Sequence, residues 1–114
     1  MAKITRIDQE YNSSVPIIEV EGALNSFGAA QLADVFQEII LEAQKNVIPF
    51  IVLALHIDQM SSSGLRTLKA AQRVLAKEIR IIPNEHAQKM LELAGDDRLY
   101  PFYPSVEAAL RGQE

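Results

Sequence analysis

The apolar positions of this chain recur with two periods in alternation. Ile4 to Ile7 and Pro16 to Val20 are short runs rich in β-branched residues, and the polar stretch Gln9-Glu10-Tyr11-Asn12-Ser13-Ser14 separates them. That pattern predicts an antiparallel pair of strands with a loop between. Beyond Gly22, either Asn25 or Ser26 can accept a hydrogen bond from the orphan amides that open a helix. The helix that follows turns Leu32, Val35, Phe36, Ile39 and Ala43 inward at spacings of three and four, with Gln31, Asp34, Glu38 and Lys45 toward solvent. Leu41 falls among its polar positions.

Phe50 to Leu55 is apolar without alternation, as expected of a central strand covered on both sides. Helical spacing then resumes, with Leu65, Leu68, Ala71 and Leu75 on one face and Arg66, Lys69, Arg73 and Lys77 on another. Ile79 to Ile82 is a further short strand, ended by Pro83. Asn84 can cap a third helix that buries Ala87, Met90, Leu91 and Ala94, and Gly95 suits the left-handed turn after it. Leu99 to Tyr103 is predicted as a last strand, held to a sheet edge by Pro101. Ser105 caps a closing helix with Val106, Ala109 and Leu110. Strands alternating with helices imply crossovers and a largely parallel sheet. The expectation is a small α/β domain over residues 1–114, with about five strands, the first antiparallel, and about four helices.

Composition narrows the function classes. The chain has 114 residues, 48% of them apolar, which suits one core. It has no cysteine, so disulfides and thiolate metal sites are excluded. The apolar runs are too short to span a membrane, and Met1 to Arg6 contains no signal-peptide apolar core; the expectation is a soluble, cytoplasmic protein without membrane insertion. A net charge of -4 argues against nucleic acid and for a protein partner.

The chemistry concentrates between the central strand and the second helix, in Ser61-Ser62-Ser63-Gly64-Leu65. Hydroxyls at a helix start stand where the backbone best stabilises negative charge, so a phosphate can be accommodated there. The plainer role is that Ser61 or Ser62 caps the helix. Ser62 precedes Arg66 by one helical turn, which puts serine and basic stripe on one side. His56 and His86 are the only histidines and have no metal-ligand pattern around them. A hydrolytic triad of Ser62, His56 and Asp58 is disfavoured: no Gly-x-Ser-x-Gly elbow is present, and all three residues crowd one short segment. Neither a phosphate-binding glycine loop nor a cofactor motif occurs, and no enzymatic activity, catalytic residue, cofactor or metal is expected.

The element order, the segment Met60-Ser61-Ser62-Ser63-Gly64-Leu65 and the ending Phe102-Tyr103-Pro104-Ser105-Val106-Glu107-Ala108-Ala109-Leu110 resemble the STAS domain, named for sulfate transporters and anti-sigma factor antagonists. The resemblance covers nearly the whole chain. The family motif is Asp-Ser-Ser-Gly-Leu, and its first serine, which a partner kinase phosphorylates in the bacterial antagonists, maps to Ser62. The resemblance implies a regulatory module that binds an anti-sigma factor with serine kinase activity, or another regulatory protein. Phosphorylation would fall on Ser62, with Ser63 and Ser61 as alternatives. Partner contacts would come from Asp58, Met60, Ser61, Ser62, Ser63, Gly64, Arg66, Lys69 and Arg73. Two other roles in the family are a self-associating scaffold, with Leu41 as a contact, and an accessory subunit of a lipid-transport ABC system. The sequence departs from the family pattern at Ser61, where an aspartate is usual, and at Ala54 in the preceding strand; both changes remove negative charge.

Overall fold

The structure, a computed structural model, describes residues 2–113. It contains four strands, β1 (Ala2–Arg6), β2 (Ile17–Leu24), β3 (Phe50–Met60) and β4 (Glu78–Pro83). Four helices accompany them: α1 (Ser26–Ala43), α2 (Ser62–Leu75), α3 (Glu85–Ala94) and α4 (Val106–Arg111). The sheet order is β1-β2-β3-β4; β1 runs antiparallel to β2, and the other neighbours are parallel. The loop after β1 contains a single 3-10 turn at Asp8–Tyr11.

Leu53, Leu55 and Ile57 of β3 face one side of the sheet, where Leu32, Phe36 and Ile39 of α1, Leu68 and Ala71 of α2, and Ala87 and Leu91 of α3 close the main core. Val52 faces the other side and joins a smaller core with Ile7, Ile17, Tyr103 and the alanines of α4. The unbroken apolar run at the start of β3 is thus accounted for by cover on both faces. Arg80 closes the smaller core: its guanidinium stacks 3.6 Å from the centre of the Phe50 ring and donates to the Ala109 carbonyl at 2.7 Å.

Three expectations are corrected. The predicted fifth strand does not form. Prolines at 101 and 104 remove two donors, and Phe102 makes only an isolated bridge to Ile81, through Ile81 N–H to the Pro101 carbonyl and Tyr103 N–H to the Ile81 carbonyl. Ala43 and Ala94, placed inward by periodicity, are exposed, because each is the last residue of its helix. The central strand runs five residues beyond Leu55, so Asp58 and Met60 lie in β3 and not in a loop.

That extension contains a β-bulge. Gly22 pairs with Ile57 but Ala23 pairs with Gln59, leaving Asp58 as the extra residue, and Gly22 takes the left-handed φ of 95° opposite it. The insertion reverses the alternation of the strand. Ile57 and Met60, three apart, both enter the main core, where a regular strand would turn one of them out.

Candidate functional site

The bulge delivers the chain to the serine cluster, and Leu24 at the end of β2 holds it there. The Leu24 carbonyl accepts both the Ser61 N–H at 3.0 Å and the Ser61 hydroxyl at 3.2 Å. Gly64, in the first turn of α2, packs directly on the same residue: a Cβ there would lie 2.9 Å from Leu24 Cγ. The absence of a side chain at Gly64 therefore sets how closely α2 approaches β2.

Ser61 occupies the N-cap position of α2 with extended backbone, yet its side chain makes no capping bond, since its hydroxyl is committed to Leu24. The other three helices are capped by side chains: Asn25 accepts from Gly28, Asn84 from Ala87 and Ser105 from Ala108. The first turn of α2 thus keeps its amides open, at the end of the helix where the backbone carries partial positive charge. The capping role considered for Ser61 gives way to anchoring. Ser62 is exposed, and no hydrogen bond among the described residues engages its hydroxyl. Arg66 does not reach it; its guanidinium donates to Ser63 Oγ at 3.3 Å.

The remaining residues of the predicted site divide between surface and interior. Asp58 is exposed at the bulge, and Arg66 and Arg73 are exposed along α2. Met60 is only 5% exposed and belongs to the main core, so its role is packing. Gly64 is buried against Leu24. Lys69 leaves the free basic stripe, because its ammonium lies 3.3 Å from Asp96, a carboxylate 5% exposed at the end of α3. Gln72 adds a second tie from α2, donating to the Leu99 carbonyl at 2.9 Å. Ala54 is buried in mid-strand, seven residues and roughly 20 Å of extended chain before Ser61. The missing acid at that position therefore has no bearing on charge at the serines; the change at Ser61 does.

Two relevant residues escaped the sequence reading. Phe27, in the first turn of α1, is 79% exposed. The preceding residue, Ser26, lines a shallow hollow with Ser63 and Arg66, which puts the first turns of α1 and α2 side by side. The signal was present in the sequence, since Phe27 lies out of phase with Leu32, Phe36 and Ile39. Asp96 gave no such signal: Gly95-Asp96-Asp97 reads as a polar turn. Elsewhere, His56 lies 3.6 Å from Glu19 of the neighbouring strand. Among the described residues no group of acids and histidines is arranged to hold a metal ion, and no helix is long and apolar enough to cross a membrane.

No family model and no curated protein matches the sequence. Solved structures do match. An anti-sigma factor antagonist from Mycobacterium paratuberculosis superimposes with a TM-score of 0.82 at 22% identity, over 98% of this chain and 93% of that one. The Bacillus cell fate determinant SpoIIAA, in its phosphorylated form, superimposes with a TM-score of 0.65 at 16% identity, over 99% of this chain and all of that one. The sheet with its one antiparallel strand and the helices packed against it match these structures over nearly the whole chain, and the chain has the STAS fold.

Proposed function

We propose that this protein is a regulatory binding module of the anti-sigma factor antagonist type, which docks an anti-sigma factor through the start of α2 and is released from it by phosphorylation of Ser62. The observation that carries the reading is the exposed, unengaged hydroxyl of Ser62 on an uncapped helix N-terminus. The likeness to the mycobacterial antagonist and to phosphorylated SpoIIAA supports it. An unmodified hydroxyl lets a partner pack closely over Ser62, Arg66 and Arg73, with Phe27 as an aromatic anchor at the same end of the helical layer. A phosphate adds about -1.5 to -2 charges and three acceptors, which the open amides stabilise while the partner surface meets bulk and charge. Asp58, exposed on β3 just before the turn, supplies a carboxylate to the same docking surface. The module acts by binding and not by catalysis, in the cytoplasm, where such partners reside.

The test is calorimetric titration of the protein with an anti-sigma factor that carries serine kinase activity. Wild type and Ser62→Ala should bind alike, and Ser62→Asp should bind at least about tenfold more weakly while its melting temperature is unchanged, a loss of ~1.4 kcal/mol or more. Incubation with ATP and that kinase, followed by mass spectrometry, should place the phosphate on Ser62. Equal affinity of Ser62→Asp and wild type, or modification confined to Ser61 or Ser63, would remove the switch.

A further inference from the structure

The two helices that flank the serine turn carry opposite charge. Three carboxylates and no basic residue lie on α1, at Asp34, Glu38 and Glu42. Three basic residues and no acid lie on α2, at Arg66, Lys69 and Arg73. Glu42 is held by Arg6, and Lys69 by Asp96. Asp34 and Glu38 on α1 and Arg66 and Arg73 on α2 are all exposed, and none has an ion-pair partner among the described residues. Between them runs an apolar groove, with Ile40 on the α1 side and Ala70 and Val74 on the α2 side. Val74 is 64% exposed and Leu41, on the rim of α1, 53%.

Geometry makes this face complementary to itself. Each helix follows one of two parallel strands, β2 or β3, and packs on the same side of the sheet, so α1 and α2 run in the same direction. They are also level with each other: Ser26 and Ala30 lie across from Ser63 and Arg66, and Gln37 and Ile40 across from Val74. A two-fold axis laid along the groove, parallel to the helices, places α1 of a second copy over α2 of the first without changing the level. Asp34 of the second copy then stands between Arg66 and Arg73, and its Glu38 stands over Arg73. The apolar rims meet above the axis, Ile40 and Leu41 against Val74. Each contact occurs twice, as an isologous interface requires. A two-fold axis across the helices would instead set acid on acid and base on base.

We infer that the outer face of α1 and α2 is a self-association surface, and that its occupant is a second copy of this chain. A face as long as the 18 residues of α1 measures ~27 Å, and two helices side by side span about 20 Å, which gives roughly 500 Å² per copy. That area is at the low end for specific complexes and predicts a weak, reversible dimer. Ser62 and Arg66 belong to the same face, so a copy bound there excludes any other protein from the serine turn. The dimer itself does not depend on the proposed docking of an anti-sigma factor.

Sedimentation velocity over a concentration series tests the inference. Wild type should pass from monomer to dimer, less readily as salt rises, and Asp34→Arg or Arg73→Glu should each weaken the dimer at least about tenfold. Charge logic then makes two sharper demands. The double variant Asp34→Arg/Arg73→Glu should dimerise again, and an equimolar mixture of the two single variants should form a heterodimer. A wild-type protein that stays monomeric at about 0.5 mM in low salt overturns the proposal and leaves the face to another protein. Single variants that are folded by circular dichroism but whose mixture and double variant both stay monomeric overturn it equally.

Discussion

Lys69 Nζ lies 3.3 Å from Asp96 Oδ1, and this pair fastens the helix that bears the serine turn to the end of α3. A lysine that the sequence assigns to a docking surface is therefore a strut. Removing it leaves a buried carboxylate without its cation, whereas removing Arg73 exposes nothing. Lys69→Ala should lower unfolding free energy by about 1–2 kcal/mol and Arg73→Ala by less than ~0.5, as measured by urea denaturation. Equal effects of the two changes would show that the strut carries no stability.

A methyl group at Gly64 would meet Leu24 Cγ at 2.9 Å and the Leu24 carbonyl oxygen at 3.1 Å. Because part of the obstacle is backbone, α2 must move for the side chain to fit. Gly64→Ala should cost about 1–3 kcal/mol by thermal or chemical denaturation and should weaken any complex formed through Ser62. Gly28→Ala, whose Cβ would press on the Ala23 carbonyl, should cost at least as much while leaving the serine turn in place. An unperturbed melting temperature for Gly64→Ala would show that α2 is free to slide.

Burial pushes the Tyr100 phenol up from 10.0 to about 12, and the Asp96 carboxylate acts in the same direction. The folded state favours the neutral phenol. Its stabilising contribution is therefore complete below pH 10 and is lost as the pH rises toward about 12. Ultraviolet titration of the phenolates should show Tyr100 ionising late, and Tyr100→Phe should flatten the fall in stability across that interval. Among the described residues the buried phenol oxygen has no hydrogen-bond partner, so the same variant should lose no more than ~0.5 kcal/mol at neutral pH.

At the opposite end of α1, Arg6 donates to Asp8 at 2.9 Å and to Glu42 at 2.9 Å, joining β1, the following 3-10 turn and the last turn of α1. Burial alone would raise the Asp8 carboxyl, but the hydrogen bond from Arg6, backbone amides and the guanidinium charge together bring it below its usual 3.8. A carboxylate depressed in this way stabilises the fold above pH 3.8 and ceases to do so as the pH falls through its folded value. The stability difference between wild type and Arg6→Ala, about 1 kcal/mol at neutral pH, should shrink as denaturation is repeated at lower pH. A difference that does not vary with pH would assign the role of Arg6 to packing of its aliphatic stem.

Much of this fold can be read from the sequence because periodicity and cap chemistry agree. Asn84 and Ser105 start their helices where residue type says they should, and Gly95 ends α3 with a φ of 74°. Asn25, one of two candidates, caps α1. What escaped was nonlocal. The C-terminal half of β3 carries no strand signal of its own, because His56, Asp58 and Gln59 interrupt the apolar run, and only the pairing with β2 shows the bulge that accommodates them. Ser61 and Ser62 are indistinguishable as residue types; the Leu24 carbonyl, 37 residues before Ser61, separates them by engaging one hydroxyl and leaving the other free. Lys69 and Arg73 look alike on a helical wheel until Asp96 folds beneath one of them.

The extra residue at Asp58 makes the facing of the serine turn a matter of counting. Deleting Asp58 would restore strict alternation to β3 and leave Met60 two residues after Ile57, on the same face, still opposite Leu24, with Ser61 still at the Leu24 carbonyl that anchors it. Inserting one more residue there would instead demand a two-residue bulge or carry Ser61 about 7 Å past the Leu24 carbonyl. The segment before the serines therefore tolerates loss of the extra residue better than gain of another, and a relative that lacks the bulge can seat its helix by the same contact with the strand beside it.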